Sequence, residues 1–380
     1  MSSKLGVFMP NWVGDAVMAT PTLRALAGNL SVLSHIAPTS RAKRSRATQV
    51  ETEGVPAVGR LVGIMQPAVA ELLDGAAWLN DRIVFSKKGK KGCSRIGLIS
   101  AIRKQRLDAV VLLTNSFWTA LVVRLAGVPR RIGYARDGRG LLLTDKLTPL
   151  RAGGKFEAVP AVDYYLALAE LLGCSVADRS MQLHVQETDR QSAEKLWKLL
   201  GFNPDRPTIV INSSGAWGAA KVWPADHVES LARRIVRETP WQVLLHCGPA
   251  ERSAADAVAS RIGDPMVGSM GRAGELPVGL TKGVMERAAV VVSTDSGPRH
   301  IAVALNRPVI SLIGPTDIAW TKTYNRPEIV ITADVDCRPC WQKTCPLKHN
   351  RCMQELGVEQ VFWKIKQTVD RGNLGVLRAA

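Results

Sequence analysis

The stretch Val290-Val-Val-Ser-Thr-Asp-Ser-Gly-Pro-Arg-His300 passes from an apolar run straight into small and polar residues, and a second apolar run at 301–305 follows. A short apolar run of this kind is typical of a buried strand in a parallel sheet. Ser, Asp, Gly and Pro together are typical of a loop that opens a helix. The stretch therefore predicts a strand, a polar loop and a helix, which is the repeating unit of an α/β fold.

The same alternation continues through the rest of the chain. Further strands are predicted at 5–9, 32–37, 109–113, 208–211, 242–246, 309–313 and 329–332. Helices are predicted at 16–27, 117–126, 161–172, 225–238 and 357–371. The order indicates two α/β halves with parallel sheets, and the polar segment 184–190 is interpreted as the linker between them.

The length of 380 residues favours two domains, because single cores stop growing beyond about 250–300 residues. We expect a first domain at 1–185 and a second at 186–356. The remaining residues, 357–380, predict a helix that either crosses back to the first domain or packs on its own. In such sheets ligands bind outside the carboxyl ends of the strands, so the loops at these ends should carry the site.

Composition indicates a globular protein, with 46% apolar and 22% charged residues. Of the net charge of +17, residues 1–150 contribute +13, from 22 basic and 9 acidic residues. This asymmetry indicates an anionic partner for the first half: nucleic acid, a membrane surface or a phosphorylated substrate. The Lys87–Lys91 run is interpreted as either a solvated loop or a contact for phosphates or lipid headgroups.

No run of 18 apolar residues occurs, and the short apolar run near the start is broken by Pro10, Asn11 and Asp15, so no signal peptide is expected. We therefore expect no transmembrane helix and a cytoplasmic protein, with any membrane association peripheral. Aromatic residues are only 5%, and no RNA-recognition, KH or zinc-finger signature occurs, so nucleic acid is not expected as a partner.

Two loops that follow strands carry candidate chemistry. In Asn11-Trp-Val-Gly-Asp15, Gly14 permits a tight turn and Asp15 stands near a helix start, as a capping residue or as a general base. In the segment 212–224, small residues and a single Lys221 suit phosphate binding by backbone N–H groups and one point charge. The same residues would also suit a flexible Gly/Ala loop that binds nothing.

The loop at 293–300 adds a third candidate. Asp295 is placed to cap the helix, Ser296 to bond a phosphate, and His300 lies in the first helical turn. A single histidine there is more often structural. The convergence of several polar groups on one helix start favours a site.

Four of the seven cysteines fall within 16 residues, in the pattern Cys337-x2-Cys340-x4-Cys345-x6-Cys352, with His349 beside the last. This spacing permits a structural zinc site with cysteine ligands. Only the first pair has the two-residue gap usual in such sites. Reduced thiols and reversible disulfides therefore stay open as alternatives.

Together these segments resemble the glycosyltransferase family 9 heptosyltransferases. The matching segments are Pro10-Asn-Trp-Val-Gly-Asp-Ala-Val-Met18; Asn115-Ser-Phe-Trp-Thr-Ala-Leu121 with 126–134; Gly215-Ala-Trp-Gly-Ala-Ala-Lys-Val-Trp-Pro224; and 294–308 with Gly314-Pro-Thr316. The resemblance implies a GT-B fold, with two Rossmann-like domains facing across a cleft. It implies inverting transfer of L-glycero-D-manno-heptose from ADP-heptose to the inner core of lipopolysaccharide (heptosyl-Kdo-lipid A) at the inner leaflet, with no cofactor required for catalysis.

The resemblance also implies roles for individual residues. Asp15 would be the catalytic base, and Lys221 would neutralise the departing diphosphate. The residues implied in donor binding are Ser213, Ser214, Glu251, Asp295, Ser296, Gly297 and His300, with Asp295 on the heptose, Glu251 on the ribose and the others on the phosphates. Those implied in acceptor binding are Asn11, Trp12, Asn115 and Arg136.

The chain departs from the family pattern at two places: Val222 stands where Arg is usual, and Asn212-Ser213 where Pro-Gly is common. Three alternatives remain beside the heptosyltransferase interpretation. They are a family 9 transferase for another nucleotide sugar or acceptor, an inactive nucleotide-sugar sensor, and a basic nucleic-acid-binding protein.

Overall fold

The computed structural model describes residues 3–29, 59–86, 92–213, 215, 217–325 and 328–377. These divide into two compact units, Met1–Ala70 with Ala76–Arg179, and Glu71–Gly75 with Ser180–Ala380. The predicted strand at 32–37 and the Lys87–Lys91 run lie outside the described residues.

Six parallel strands among the described residues form the sheet of the first unit. They are β1 (Lys4–Phe8), β2 (Arg60–Met65), β3 (Asp81–Val84), β4 (Ala109–Leu112), β5 (Arg130–Tyr134) and β6 (Asp145–Leu147), in the order β3-β2-β1-β4-β5-β6. The helices up to residue 170 are α1 (Val13–Met18), α2 (Thr20–Gly28), α3 (Pro67–Leu72), α4 (Arg95–Gln105), α5 (Phe117–Leu125) and α6 (Ala161–Glu170). A two-stranded antiparallel pair, β7 (Arg151–Ala152) and β8 (Lys155–Phe156), precedes α6.

The prediction of one helix at 16–27 was wrong, because two short helices replace it. The helix α1 ends at Met18, and α2 begins at Thr20 with Pro21 in its first turn. Proline lacks the N–H that a continuing helix needs, and it suits the first turn of a new one. The short α1 leaves Asp15 in its first turn, directly after β1.

Six parallel strands also form the sheet of the second unit. They are β9 (Thr208–Asn212), β10 (Gln242–Leu245), β11 (Val267–Ser269), β12 (Val290–Thr294), β13 (Val309–Ile313) and β14 (Ile329–Thr332), in the order β11-β10-β9-β12-β13-β14. The helices are α7 (Glu187–Leu200), α8 (Ala225–Glu238), α9 (Arg252–Ile262), α10 (Val278–Arg287), α11 (Gly297–Ala304), α12 (Arg351–Gln354) and α13 (Val358–Leu377).

The interpretation of 184–190 as a linker was wrong for its second half. Residues from Glu187 onward form the first turn of α7, where Gln186 and Asp189 make a capping box. The polar residues that indicated a linker instead form a helix start, where polar side chains bond the N–H groups that have no partner within the helix.

The core of the second unit joins the sheet to its helices and includes the last helix of the chain. Leu231 and Ile235 of α8 belong to the same buried cluster as Phe362 and Ile365 of α13. Trp223, at 0% exposure, donates through Nε1 to the backbone O of Leu356 at 3.1 Å. The helix α13 is thus a packed part of the second unit.

Both sheets have the Rossmann strand order, 3-2-1-4-5-6 when the strands of each are numbered along the chain. The α/β prediction with two parallel sheets is confirmed. In such a sheet the loops that follow the first and fourth strands flank the point where ligands bind. In the first unit, the loop after β1 leads into α1, which carries Asp15 in its first turn, and the loop after β4 contains Asn115. In the second unit, the corresponding loops contain Ser213 and Asp295. No helix among the described residues is long and apolar enough to cross a membrane.

Candidate functional site

A buried ion pair lies at the carboxyl end of β12. The ammonium Nζ of Lys221 is 2.9 Å from Oδ2 of Asp295 and also 2.9 Å from its backbone O. The same Nζ lies 4.8 Å from the ring centre of Trp217. Two of the three ammonium N–H donors are therefore directed at Asp295, which leaves one for another partner.

The other oxygen of Asp295 is held by an arginine on the next helix. Nη1 of Arg299 donates to Oδ1 of Asp295 at 3.0 Å. Nε and Nη2 of Arg299 form a two-pronged contact with Glu328 at 2.6 and 2.8 Å. Arg299 is fully buried. We call Lys221, Asp295, Arg299 and Glu328 the Asp295 cluster.

The electrostatics of the Asp295 cluster favour its ionised form. Burial alone would raise the pKa of Asp295, but the nearby Arg299 and Lys221 outweigh burial and hold this pKa well below its usual range. The pKa of Glu328 is likewise lowered by its hydrogen bonds and charge interaction with Arg299, against the opposing effect of burial. The cluster thus holds two positive and two negative groups that are almost completely buried.

A second polar chain starts at the carboxyl end of β10 and leads to Ser296. His246 follows β10, and its Nδ1 lies 3.0 Å from Oδ1 of Asn212, while its Nε2 lies 3.2 Å from Oγ1 of Thr281. Asn212 in turn donates from Nδ2 to Oγ of Ser296 at 2.9 Å and to Ser293 at 3.0 Å. Burial lowers the pKa of His246 to about 4, so the imidazole is neutral and the chain is uncharged near pH 7.

The start of α11 combines several of the predicted donor-binding residues. Ser296 precedes Gly297 as the N-cap of α11, and its own side chain makes no capping bond. A Cβ on Gly215 would lie 3.0 Å from Cβ of Ser296, so Gly215 packs directly against this helix start. The loops of the two motifs are therefore brought together within the second unit.

His300 lies one turn further into α11 and is buried. Its Nδ1 has no hydrogen-bond partner among the described residues. Burial, followed by the charge of Arg299, lowers the pKa of His300 to about 3, so the side chain is neutral. A neutral imidazole with an unpartnered nitrogen is suited to a hydrogen bond with a ligand.

The remaining predicted donor-binding residues differ in placement. Ser213 follows β9, and its backbone O accepts from the N–H of Trp223 at 2.8 Å. Ser214 lies outside the described residues. Glu251 follows β10 in a short turn, and its Oε2 accepts from the N–H of Gly248 at 2.7 Å, so one carboxylate oxygen already holds its own loop.

In the first unit, Asp15 lies beside α6. Burial, followed by the negative charge of Asp15, raises the pKa of Tyr165 well above its usual range. Trp12, the N-cap residue of α1, is 57% exposed. Asn11 accepts through Oδ1 from Nε2 of Gln66 at 2.8 Å. The predicted base therefore lies on a short helix whose N-cap is an exposed tryptophan, and its charge acts on the buried Tyr165.

The other two predicted acceptor-binding residues meet at Tyr164. Asn115 accepts through Oδ1 from the hydroxyl of Tyr164 at 3.0 Å, and the ring of Tyr164 stacks on that of Tyr134 at 3.7 Å. The positive charge of Arg136 acts to lower the pKa of Tyr164, although burial raises it overall. The guanidinium of Arg136 lies 4.1 Å from the ring centre of Phe156.

A buried arginine supports this part of the first unit. Arg139 is fully buried and donates through Nε to the backbone O of Tyr134 at 2.9 Å, through Nη1 to the backbone O of Thr114, and through Nη2 to Oδ1 of Asn115 at 3.3 Å. Burial lowers its pKa to about 10. Its hydrogen bonds orient the loops that carry Asn115 and Arg136.

The four clustered cysteines line one small cavity, together with Ala220, Pro315 and His349. All seven cysteines of the chain are described and none forms a disulfide. Among the described residues, no three Cys, His, Asp or Glu side chains are already arranged to hold a metal ion. The segment also bonds to the site, since the N–H of Ala220 donates to the backbone O of Lys343 at 3.0 Å, and that of Trp341 to Pro315 at 2.9 Å.

Several residues of the site were missed by sequence reasoning. Arg299 and Glu328 gave no signal, because nothing in the chain indicates that they pair. His246 had one, since it is a polar residue directly after an apolar strand. Tyr164 and Tyr165 also gave a signal, as adjacent aromatic residues in a helix with few polar residues.

Comparisons with known proteins show the family of the chain. The family model described as glycosyltransferase family 9 (heptosyltransferase) matches residues 95–351. Lipopolysaccharide heptosyltransferase 2 of Escherichia coli K12 is 28% identical over 340 residues, covering 86% of this chain and 87% of that protein. Lipopolysaccharide heptosyltransferase 1 of Pseudomonas aeruginosa is 30% identical over 286 residues, covering 68% and 76%.

A solved structure extends the likeness to the fold. The structure of E. coli ADP-heptose lps heptosyltransferase II aligns with a TM-score of 0.74 at 22% identity, covering 97% of this chain and 99% of that one. The two parallel sheets thus correspond to those of a known glycosyltransferase. The chain belongs to glycosyltransferase family 9, the heptosyltransferases.

Proposed function

We propose that this protein transfers L-glycero-D-manno-heptose from ADP-heptose to the inner core of lipopolysaccharide, as heptosyltransferase II does. The observation that carries the proposal is the site at the carboxyl end of β12, where the ammonium of Lys221, the free Nδ1 of His300 and the start of α11 lie in one unit. A helix start and an ammonium suit the two phosphates of a nucleotide diphosphate. The names of the relatives, which are lipopolysaccharide heptosyltransferases, support the sugar and the acceptor.

The reaction is a single displacement with inversion at the anomeric carbon. Asp15 takes the proton from the acceptor hydroxyl, whose oxygen forms the new bond to the anomeric carbon. The bond from that carbon to the diphosphate oxygen breaks, and ADP leaves with the electron pair. Lys221 and the N–H groups at the start of α11 stabilise the charge that develops on the diphosphate. No cofactor is required for these steps.

The acceptor binds on the first unit in this proposal. Asn115, Arg136 and Tyr164 form a connected polar group there, and Asn11 and Trp12 shortly precede Asp15 in sequence. The acceptor is a phosphorylated sugar-bearing lipid, and residues 1–150 carry 22 basic and 9 acidic residues. This charge favours binding of an anionic acceptor.

We also propose that the first unit associates peripherally with the cytoplasmic face of the inner membrane. Three strongly exposed apolar residues support this: Ile96 in the first turn of α4, Phe117 at the start of α5, and Leu141 after β5, which are 85%, 48% and 93% exposed. Apolar side chains among basic residues suit a surface of anionic lipids. Sedimentation with vesicles tests it: binding to phosphatidylglycerol vesicles but not to phosphatidylcholine vesicles supports the proposal, and no binding to either contradicts it.

The nucleotide is tested by calorimetric titration with ADP, UDP, GDP and CMP at two salt concentrations. Selective ADP binding that changes little with salt supports the proposal and leads to a transfer assay with ADP-heptose. Preference for another nucleotide would still support a glycosyltransferase, but one whose sugar donor carries that nucleotide in place of ADP. Absence of nucleotide binding, with salt-sensitive DNA binding instead, contradicts the proposal.

For the cysteine segment we propose a structural zinc ion held by Cys337, Cys340, Cys345 and Cys352. These thiols line one cavity, and the charge interactions of the other three contribute to raising the pKa of Cys352, although burial is the larger cause. Because no three are already arranged for coordination, binding requires their side chains to turn toward the cavity. Elemental analysis of protein purified without added metal should give one zinc per chain, retained in Cys93→Ser and lost in Cys337→Ser; metal-free wild-type protein contradicts the site.

A further inference from the structure

We propose that Asp295 orients the ammonium of Lys221 toward the diphosphate. Arg299 and Glu328 are positioning residues that fix the orientation of Asp295. The inference rests on the proposed function, because it concerns the amine that faces the leaving diphosphate. It gives Asp295 a role different from contact with the transferred sugar. It also gives a function to the Arg299–Glu328 pair, which the sequence analysis did not identify.

The carboxylate of Asp295 already has a full set of partners. Oδ1 is 3.0 Å from Nη1 of Arg299 and 3.4 Å from Oγ1 of Thr321. Oδ2 is 2.9 Å from Nζ of Lys221 and 2.7 Å from Oγ1 of Thr316. A carboxylate offers about four lone-pair sites, so a sugar hydroxyl could bind Asp295 only by displacing one of these donors.

The orientation of Asp295 depends on Arg299. The guanidinium donates to both oxygens of Glu328 and also to Oγ of Ser311 at 3.1 Å and to the backbone O of Thr321 at 3.2 Å. A planar guanidinium bound on so many sides has one allowed orientation. Its Nη1 is thereby aimed at Oδ1 of Asp295, and Asp295 presents Oδ2 to Lys221.

The charges of the Asp295 cluster also indicate that Glu328 acts on Arg299 and that Asp295 acts on Lys221. Glu328 compensates the charge of Arg299 through the two-pronged contact. Asp295 therefore compensates Lys221, whose Nζ it holds through two acceptors. The third N–H of Lys221 is the donor that remains for a ligand, and its direction is set by Asp295. Loss of Arg299 would allow the Asp295 side chain to rotate, and the ammonium of Lys221 would then have no fixed orientation.

The experiment compares the binding of ADP, ADP-heptose and AMP to the full-length wild-type protein and to Arg299→Met. If Asp295 orients Lys221 toward the diphosphate, the affinities for ADP and for ADP-heptose should fall by the same factor. This factor should be roughly tenfold or more, which is the effect of losing a hydrogen bond to a charged group. AMP, which lacks the second phosphate, should change less than threefold, well under the value of a charged hydrogen bond. If Asp295 instead binds the sugar, only ADP-heptose should weaken, and this result overturns the inference.

Lys282→Met is the matched control, because it also removes a fully buried cation from the second unit. Nζ of Lys282 pairs with Asp189 at 2.9 Å, outside the Asp295 cluster. It should lose stability without losing ADP affinity. Equal loss of ADP affinity in Lys282→Met and Arg299→Met would mean that both act through general destabilisation, and would overturn the positioning role.

Two further variants keep the test decisive if Arg299→Met does not fold. Thr316→Val has nearly the same shape and removes one donor to Oδ2 of Asp295, so it should weaken ADP more than AMP. Arg299→Lys keeps the charge and should recover part of the ADP affinity. If Arg299→Met folds, adding Lys221→Met to it should lower the affinity for ADP little further, because both substitutions remove the same interaction with the diphosphate.

The outcomes separate this inference from the proposed function. Wild-type protein that binds no nucleotide contradicts the proposed function and the inference with it. Wild-type protein that binds ADP, with Arg299→Met and Thr316→Val that bind it equally well, overturns the inference and leaves the proposed function intact.

Discussion

The ammonium of Lys221 and the carboxylate of Asp295 lie 2.9 Å apart, with side chains only 10% and 6% exposed. Removing the carboxylate would leave the buried Lys221 without its ion-pair partner, and Arg299 with only one of its two carboxylate partners. We therefore expect Asp295→Ala to lower the free energy of unfolding by about 3–5 kcal/mol, the usual cost of breaking a buried pair. Urea unfolding followed by circular dichroism measures this loss.

The comparison for that variant is an exposed ion pair of the same unit. Lys198 and Glu194 are 2.7 Å apart on α7, but their side chains are 75% and 50% exposed. Glu194→Ala should lower the free energy of unfolding far less, because water and salt screen an exposed ion pair. Similar losses for the two variants would contradict the energetic importance that we assign to the Asp295 cluster.

Stability should fall as the pH drops from about 6.5, the ordinary histidine pKa. The pKa of His246 is lowered to about 4 by burial, so between these values the unfolded chain binds a proton that the folded protein excludes. The stability from this group is present above the unfolded pKa and is lost as the pH falls through the folded one, by up to about 3 kcal/mol. His246→Gln should reduce this slope in urea midpoints measured from pH 7 to 4, and an unchanged slope would contradict the assignment.

Asp15→Asn should abolish transfer while leaving nucleotide binding nearly intact. The amide cannot take the proton of the acceptor hydroxyl, but it is close in size to the carboxylate and lies in the first unit, apart from the Asp295 cluster in sequence. We expect kcat to fall by at least about 100-fold, within the range for loss of a general base, and the Kd for ADP to change less than about twofold, well under the effect of one lost hydrogen bond. Transfer that survives the change would show that Asp15 is not the base.

Gly218→Ala should disturb the loop that carries Lys221. A Cβ at this position would lie 2.5 Å from the backbone O of Lys343 and 2.9 Å from its Cα, and backbone atoms cannot swing aside as a side-chain end can. We expect a loss of about 1–3 kcal/mol, as for overpacking, together with weaker ADP binding in titration calorimetry.

The matched control is Gly274→Ala, since a Cβ on Gly274 would meet no atom within 4 Å. That variant should unfold and bind ADP as the wild type does. If Gly218→Ala behaves the same way, the contact between the Lys343 segment and the Lys221 loop does not hold the site.

Much of the fold could be predicted because local signals decide it. The apolar runs gave strands such as Val309–Ile313 and Ile329–Thr332 with the bounds that the structure has. Errors arose where two signals compete locally. Pro21 divides a stretch whose apolar pattern continues, and the polar residues after Gln186 begin a helix where a linker was expected.

The contents of the site were only partly predictable. Asp295, Ser296 and Lys221 could be found because they follow apolar strands in small-residue loops. Their partners could not, because the pairing of Arg299 with Glu328 joins residues 29 apart through the order of the strands. Periodicity fixes which element a residue belongs to, whereas a hydrogen-bond partner depends on how elements assemble.

The position of Trp217 has an optical consequence. Its indole ring centre lies 4.8 Å from Nζ of Lys221, and indole fluorescence responds to the charge and the polarity of its immediate surroundings. A ligand that engages Lys221 changes both, so the protein carries its own unlabelled fluorescent reporter of site occupancy. The difference in emission between the wild type and Trp217→Phe isolates the signal of this one tryptophan, which makes the rate of ligand arrival accessible by stopped flow.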